Sequence, residues 1–99
     1  MYVISLKHTN KTDPFLTLWR PDNKGYCQSL NSAGVYENPE KGYHDSDDSI
    51  PVQQEILDRM GSTVEIDGEL KTFVPNNRYT LSELGLKFVK GNLVKILSN

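Results

Sequence analysis

The stretch Phe15-Leu16-Thr17-Leu18-Trp19-Arg20-Pro21-Asp22-Asn23-Lys24-Gly25-Tyr26-Cys27-Gln28-Ser29-Leu30 decides how this chain is read. Its first five residues are dense in apolar and aromatic side chains and read as a strand over 15–19. Pro21-Asp22-Asn23-Lys24-Gly25 breaks that strand, with Gly25 free to take positive φ. Residues 26–30 read as a short third strand. Upstream, residues 2–7 alternate weakly and lead with β-formers, so a first strand is expected there. The turn cluster Thr9-Asn10-Lys11-Thr12-Asp13-Pro14 joins it to the second, predicting an antiparallel hairpin.

Downstream, residues 31–49 are rich in Gly, Pro, Asn, Asp and Ser. They read as a long irregular loop, with a turn or short strand around Val35-Tyr36. Loops of that length in small domains are often functional. After Pro51 the period changes. Val52, Ile56, Leu57 and Met60 share one helical face, with Pro51 in the first turn and Gly61 as the stop. Asp67-Gly68 between two strand patterns predicts a two-residue hairpin. Thr80-Leu81-Ser82-Glu83 reads as a capping box, with Tyr79 and Leu84 as a hydrophobic staple and Gly85 ending a single helical turn. A last hairpin spans residues 86–97, turning at Gly91-Asn92 with Gly91 suited to the first position of a type II′ turn. The fold expected is a single α+β domain over residues 1–99. It is mostly antiparallel sheet built from hairpins, with one main helix and a helical turn.

The chain has 99 residues, enough for one modest core. It holds 11 Lys and Arg against 13 Asp and Glu, a formal net charge of −2, which argues against generic coating of DNA or RNA. Charge is unevenly placed. Residues 37–48 carry Glu37, Glu40, Asp45, Asp47 and Asp48 against Lys41, whereas residues 78–99 carry Arg78, Lys87, Lys90 and Lys95 against Glu83. The plain reading is a solvated acidic loop and a solvated basic hairpin face. The sharper one is an acidic surface that docks on a basic partner. Residues 1–8 show neither a basic n-region nor a long apolar run. No window is apolar enough to span a membrane, and Cys27 stands alone. A cytoplasmic setting is expected.

Motifs for catalysis are missing. Cys27, His8 and His44 carry no nucleophile signature, and a strand cysteine beside Tyr26 is more simply a core filler. His44-Asp45-Ser46-Asp47-Asp48 fits neither a calcium loop nor a zinc site. No phosphate-binding or nucleophile-elbow motif occurs. No enzyme activity, cofactor or metal is expected.

A different constellation stands out. Trp19, Arg20, Asn23, Lys24 and Tyr26 lie in one short span, and the long loop adds Tyr36, Tyr43 and His44. Aromatic faces stack nucleobases, cations grip phosphate, and glycines let the backbone approach a ligand. Trp19, Arg20, Asn23, Lys24, Tyr26, Tyr43 and His44 are the candidate binding residues for a small nucleotide-like ligand. Trp19 would equally serve as core, and Tyr36 and Tyr43 would equally pin the loop to the sheet. A pocket in so small a domain would gain from a partner subunit, so a homo-oligomer is a further expectation.

Lys7-His8-Thr9, the run 15–23, Gly25-Tyr26-Cys27, Ala33-Gly34-Val35-Tyr36 and Gly42-Tyr43-His44 resemble short proteins encoded by bacteriophages and prophages. The resemblance covers most of the first half and, more loosely, Leu84-Gly85 and residues 91–95. It brings no assigned activity, so no functional residue is carried over. It implies a bacterial cytoplasm during infection or lysogeny, where small accessory proteins often counter host defence. Two modes fit. The first is sequestration of a nucleotide-derived signalling molecule by the aromatic cluster. The second is inhibition of a CRISPR or restriction effector through the acidic stretch 37–48.

Overall fold

The computed structural model describes residues 1–96, and the expected extension of the last strand to Leu97 lies outside them. Strands β1 (Tyr2–Ser5), β2 (Leu18–Trp19), β3 (Tyr26–Cys27) and β4 (Ser49–Val52) form one antiparallel sheet in the order β3-β2-β1-β4. Helix α1 (Gln54–Met60) follows, then a hairpin of β5 (Ser62–Ile66) and β6 (Glu69–Phe73). Helix α2 (Arg78–Leu84) leads into a second hairpin of β7 (Leu86–Val89) and β8 (Asn92–Lys95). The class is α+β, as the alternation of hairpin and helix patterns implies. Among the described residues no helix is long and apolar enough to cross a membrane.

Register divides the main sheet into two unlike faces. Ile4 stands opposite Leu18 and Ile50, and Tyr2 opposite Val52. These side chains join Leu6, Leu16, Leu57, Val74, Leu81, Leu86 and Leu93 in the apolar core. Strand period places the alternate residues on the other side. There Ser5 stands opposite Ser49, and Trp19 opposite Tyr26. All of β1 is buried, and beside that second face the long loop is held by Tyr36 bonded to Met1 and His44 packed on Trp19.

Several local expectations are corrected. The strand expected over 15–19 is split in two. Phe15 bridges Pro75 and Leu16 N–H donates to Val74 O at 2.9 Å, while only Leu18 and Trp19 join the main sheet. The first strand ends at Ser5 and the third at Cys27, and residues 35–36 form no strand. Pro51 and Val52 are not helical. They lie in β4, an edge strand, where the missing proline N–H is tolerated. Helix α2 is capped by Asn77, whose Oδ1 accepts from Thr80 N–H at 2.8 Å. Thr80 is therefore interior to the helix, and no capping box or staple forms; Tyr79 is 70% exposed. Asparagine caps as well as threonine and begins the helix three residues earlier. Gly85 ends it in the left-handed conformation at φ 72°.

The last turn also shifts by one residue. Val89 pairs with Asn92, so Lys90 (φ 52°) and Gly91 (φ 82°) form the loop with both φ values positive. This register keeps Leu93 beside Phe88 on the inner face, and a one-residue slip would turn Leu93 outward. The hairpin at Asp67-Gly68 has the expected two-residue loop, with φ 51° and 81°.

Candidate functional site

The second face of the sheet carries a cleft of about 360 Å³. Trp19, Tyr26, Tyr43 and Asn23 line it, with Gly25 and Gly42. Ser5, Lys7 and His8 from the end of β1, and Ser46, Asp48 and Ser49 from the start of β4, complete the wall. Its size falls within the range of small-molecule sites.

Trp19 is the floor. It is almost fully buried, and its Nε1–H donates to Ser49 Oγ at 3.1 Å. Tyr26 meets its ring edge-on at a centroid distance of 5.7 Å and 83°. Tyr43 does the same at 5.1 Å and 88°. Both tyrosines stay accessible, at 41% and 47% exposure. Rings left half in water beside a buried tryptophan offer area to a flat ligand, Tyr43 more than Tyr26, one face of which is taken by His8. His8 stacks on Tyr26 with centroids 4.1 Å apart. Ser5 Oγ accepts from His8 N–H at 3.2 Å and lies 2.9 Å from His8 Nδ1. The Ser5 hydroxyl and His8 Nδ1 therefore share a hydrogen bond whose direction follows the imidazole tautomer.

The turn at 20–25 is built to hold Asn23. Asp22 and Asn23 both take left-handed backbone, at φ 59° and 58°, which costs about 1–2 kcal/mol per residue relative to ordinary helical backbone. Asn and Asp tolerate this best. Asn23 N–H donates to the Tyr36 hydroxyl at 3.1 Å, and that hydroxyl donates to Arg20 O. Arg20 N–H donates to Gly25 O at 2.8 Å, closing the turn.

The long loop is stapled over the sheet rather than loose. Met1 and Tyr36 exchange two hydrogen bonds, at 2.7 and 2.8 Å. Gly34 N–H donates to Trp19 O at 2.9 Å, and a Cβ at Gly34 would stand 2.8 Å from Pro21 Cα, so only glycine fits this approach. His44 is the inner pin. Its Nδ1 accepts from Glu40 N–H at 2.8 Å, which assigns the proton to Nε2, 2.7 Å from Asn23 Oδ1. His44 is 6% exposed and packs on Trp19, Tyr36 and Tyr43.

The seven sequence candidates therefore separate. Trp19, Asn23, Tyr26 and Tyr43 meet at the cleft. His44 lies behind them, with both ring nitrogens engaged by the protein, so its place is in the scaffold. Arg20 and Lys24 are exposed and stand outside the lining; Arg20 Nε donates to Tyr26 O at 3.0 Å, bracing the turn. Sequence reading missed Ser5, Lys7, His8, Ser46, Asp48 and Ser49. Ser46, Asp48 and Ser49 enter because β4 pairs with β1, a strand that Pro51 hid, whereas Ser5, Lys7 and His8 stand at the end of the expected first strand.

Burial pushes the Cys27 thiol up, against the pull of the nearby Arg20 charge. Its Sγ faces Ser29 O at 3.5 Å, and its side chain packs on the apolar core. A protonated, half-buried thiol suits packing rather than nucleophilic attack. Among the described residues no three His, Cys, Asp or Glu side chains converge as a metal site. No protein-family model, curated protein or solved structure matches this chain.

Proposed function

We propose that this protein binds a small, flat, nucleotide-derived molecule in the Trp19–Tyr26–Tyr43 cleft and sequesters it without turnover. The observation that carries the reading is the pair of half-exposed tyrosines set edge-on to one buried tryptophan. Stacking on an aromatic face is worth roughly 1–3 kcal/mol per base. Lys7 and His8 supply donors at the rim for ribose or phosphate. Among the lining residues Lys7 is the one Lys or Arg and Asp48 the one carboxylate, so the balance favours ring recognition over polyphosphate capture. The setting that the phage resemblance implies makes the ligand a signalling nucleotide of host defence.

The rival reading, an acidic surface blocking a nucleic-acid channel, has weaker support. Asp45 already pairs with Lys95 at 3.2 Å, and Asp47 shares a surface cavity with Lys87 and Lys95. Part of the acidic stretch therefore faces the chain's own cations.

Stoichiometry tests the proposal. Increasing protein should deplete a nucleotide messenger at a fixed molar ratio, and intact ligand should return on denaturation. Tyr26→Ala combined with Tyr43→Ala should abolish depletion in protein that still melts cooperatively. Catalytic consumption of the ligand, or unchanged depletion by the double variant, would overturn the reading.

A further inference from the structure

The hairpin of β5 and β6 carries a sheet edge that the fold leaves unpaired. Ile66 stands opposite Glu69 across the two-residue turn Asp67-Gly68, and such a turn hydrogen-bonds the residues that flank it. Bonded and non-bonded pairs then alternate along an antiparallel ladder. Val64 and Ser62 therefore also bond to β6, whereas Thr63 and Glu65 direct their N–H and C=O groups outward. The opposite strand keeps the same parity. Thr72, the partner of Thr63, turns its backbone away from β5: its O accepts from Leu30 N–H at 2.8 Å, and its N–H donates to Asn31 Oδ1 at 2.9 Å. Among the described residues no hydrogen bond takes up the outward groups of Thr63 and Glu65, and all five residues of β5 are exposed. The other outer strands are guarded in ways that block edge pairing. β4 carries Pro51, β3 is two residues long, and β7 and β8 carry Lys87 and Lys95. β5 has no proline, no lysine and no bulge, and Thr63, Val64 and Ile66 are β-branched.

We infer that β5 is the interface for a second copy of this chain. The two copies pair antiparallel about a twofold axis at Val64, giving one four-stranded sheet in the order β6-β5-β5-β6. An isologous contact needs a self-complementary patch, and β5 is one in that register. Thr63 lies opposite Glu65 of the second copy, and Ser62 opposite Ile66, so all five residues of the strand find partners. The outward groups of Thr63 and Glu65 meet as hydrogen-bonded pairs. Val64 meets Val64 as a non-bonded pair, the kind whose side chains approach most closely. Strand period puts Val64 and Ile66 of both copies on one face, joining side chains 39% and 41% exposed into an apolar strip. Neighbouring registers are worse. An axis at Glu65 would oppose two carboxylates, and one at Ile66 would oppose Glu65 and Asp67. An axis at Thr63 would pair only three residues of β5.

Analytical ultracentrifugation of the full chain from about 10 µM to about 1 mM should show monomer giving way to dimer, as expected of a small edge interface. Val64→Glu should weaken association at least about tenfold, because it sets two like charges against each other. Lys71 stands opposite residue 64 within the hairpin, so this variant keeps the hairpin itself paired. Thr63→Pro removes an outward N–H that the hairpin does not use and should weaken association as well. Register is read in a Cys27→Ala background with diamide as oxidant. Val64→Cys should cross-link two chains, since non-bonded partners bring Cα atoms to about 4.5 Å. Glu65→Cys, offset along the strand from its own copy, should not. A cooperatively folded chain that stays monomeric at about 1 mM would overturn the proposal and leave the edge to a strand of another protein. A dimer that Val64→Glu leaves intact would overturn the interface. Cross-linking through Glu65→Cys and not Val64→Cys would overturn the register.

Discussion

The two faces of the main sheet are made by the same four strands and have different surroundings. On the first face Tyr2, Ile4, Leu18 and Val52 meet an apolar core closed by Leu57, Val74 and Leu86. On the second, Ser5, Trp19, Tyr26 and Ser49 meet a polar loop pinned by His44. The first face is filled, whereas the second encloses a cleft. The difference teaches how a chain of 99 residues carries both a core and a cleft. Alternation along each strand gives one side chain to the core and the next to the cleft. A loop too polar to form a second core is held instead by hydrogen bonds, so it leaves room between the rings.

The comparison breaks most severely if the core face fails. Leu57 is fully buried, so Leu57→Ala should cost about 2–5 kcal/mol of folding stability. Chemical denaturation measures this, and ligand affinity of the remaining folded fraction should stay close to that of the parent. An intermediate effect is expected from Gly34→Ala, which drives a Cβ into the Pro21 backbone at 2.8 Å. Overpacking of this kind costs about 1–3 kcal/mol, and here it should weaken ligand binding as well, because it lifts the loop that carries Tyr43.

Tyr43→Ala sharpens the contrast from the other side. It should cost about 1–3 kcal/mol of binding by calorimetry and little stability, since the ring is 47% exposed. A large fall in melting temperature with unchanged binding would return Tyr43 to the role of loop anchor.

The pH response belongs to the core face. Burial raises the Cys27 thiol above its ordinary 9.0. Burial and the hydrogen bond to Asp58 raise the Tyr2 phenol above its ordinary 10.0. For both groups the native state holds the proton more tightly than the unfolded chain. Their contribution is therefore complete below pH 9 and is lost as pH rises through each folded value. Urea midpoints should fall between pH 8 and pH 11, and less so in Cys27→Ala. The smallest effect is expected at the exposed Lys95–Asp45 pair, where Asp45→Asn should change stability by less than about 1 kcal/mol.

Much of this architecture is legible in the residues, and the failures have physical causes. Asp67-Gly68 states its hairpin because few other dipeptides accept two positive φ values. The apolar face of α1 is legible through Leu57, yet its start is not, because Pro51 suits an edge strand as well as a first helical turn. That single ambiguity concealed β4 and, with it, Asp48 and Ser49 in the cleft. Trp19, Tyr26 and Tyr43 are legible as a cluster because the first two flank a short turn and the third lies in the long loop. His44 shows the limit of residue type alone. A histidine beside tyrosines reads as a ligand contact, whereas Glu40 N–H and Asn23 Oδ1 make it a loop pin.

Native mass spectrometry of the protein incubated with a bacterial nucleotide extract is the most direct test of a binding face opposite a structural one. A nucleotide-sized adduct at a fixed ratio per chain is expected, recovered intact on denaturation and lost in the Tyr26→Ala, Tyr43→Ala double variant. Folded protein that stays free of ligand at saturating extract, or an adduct that the double variant keeps, would contradict it.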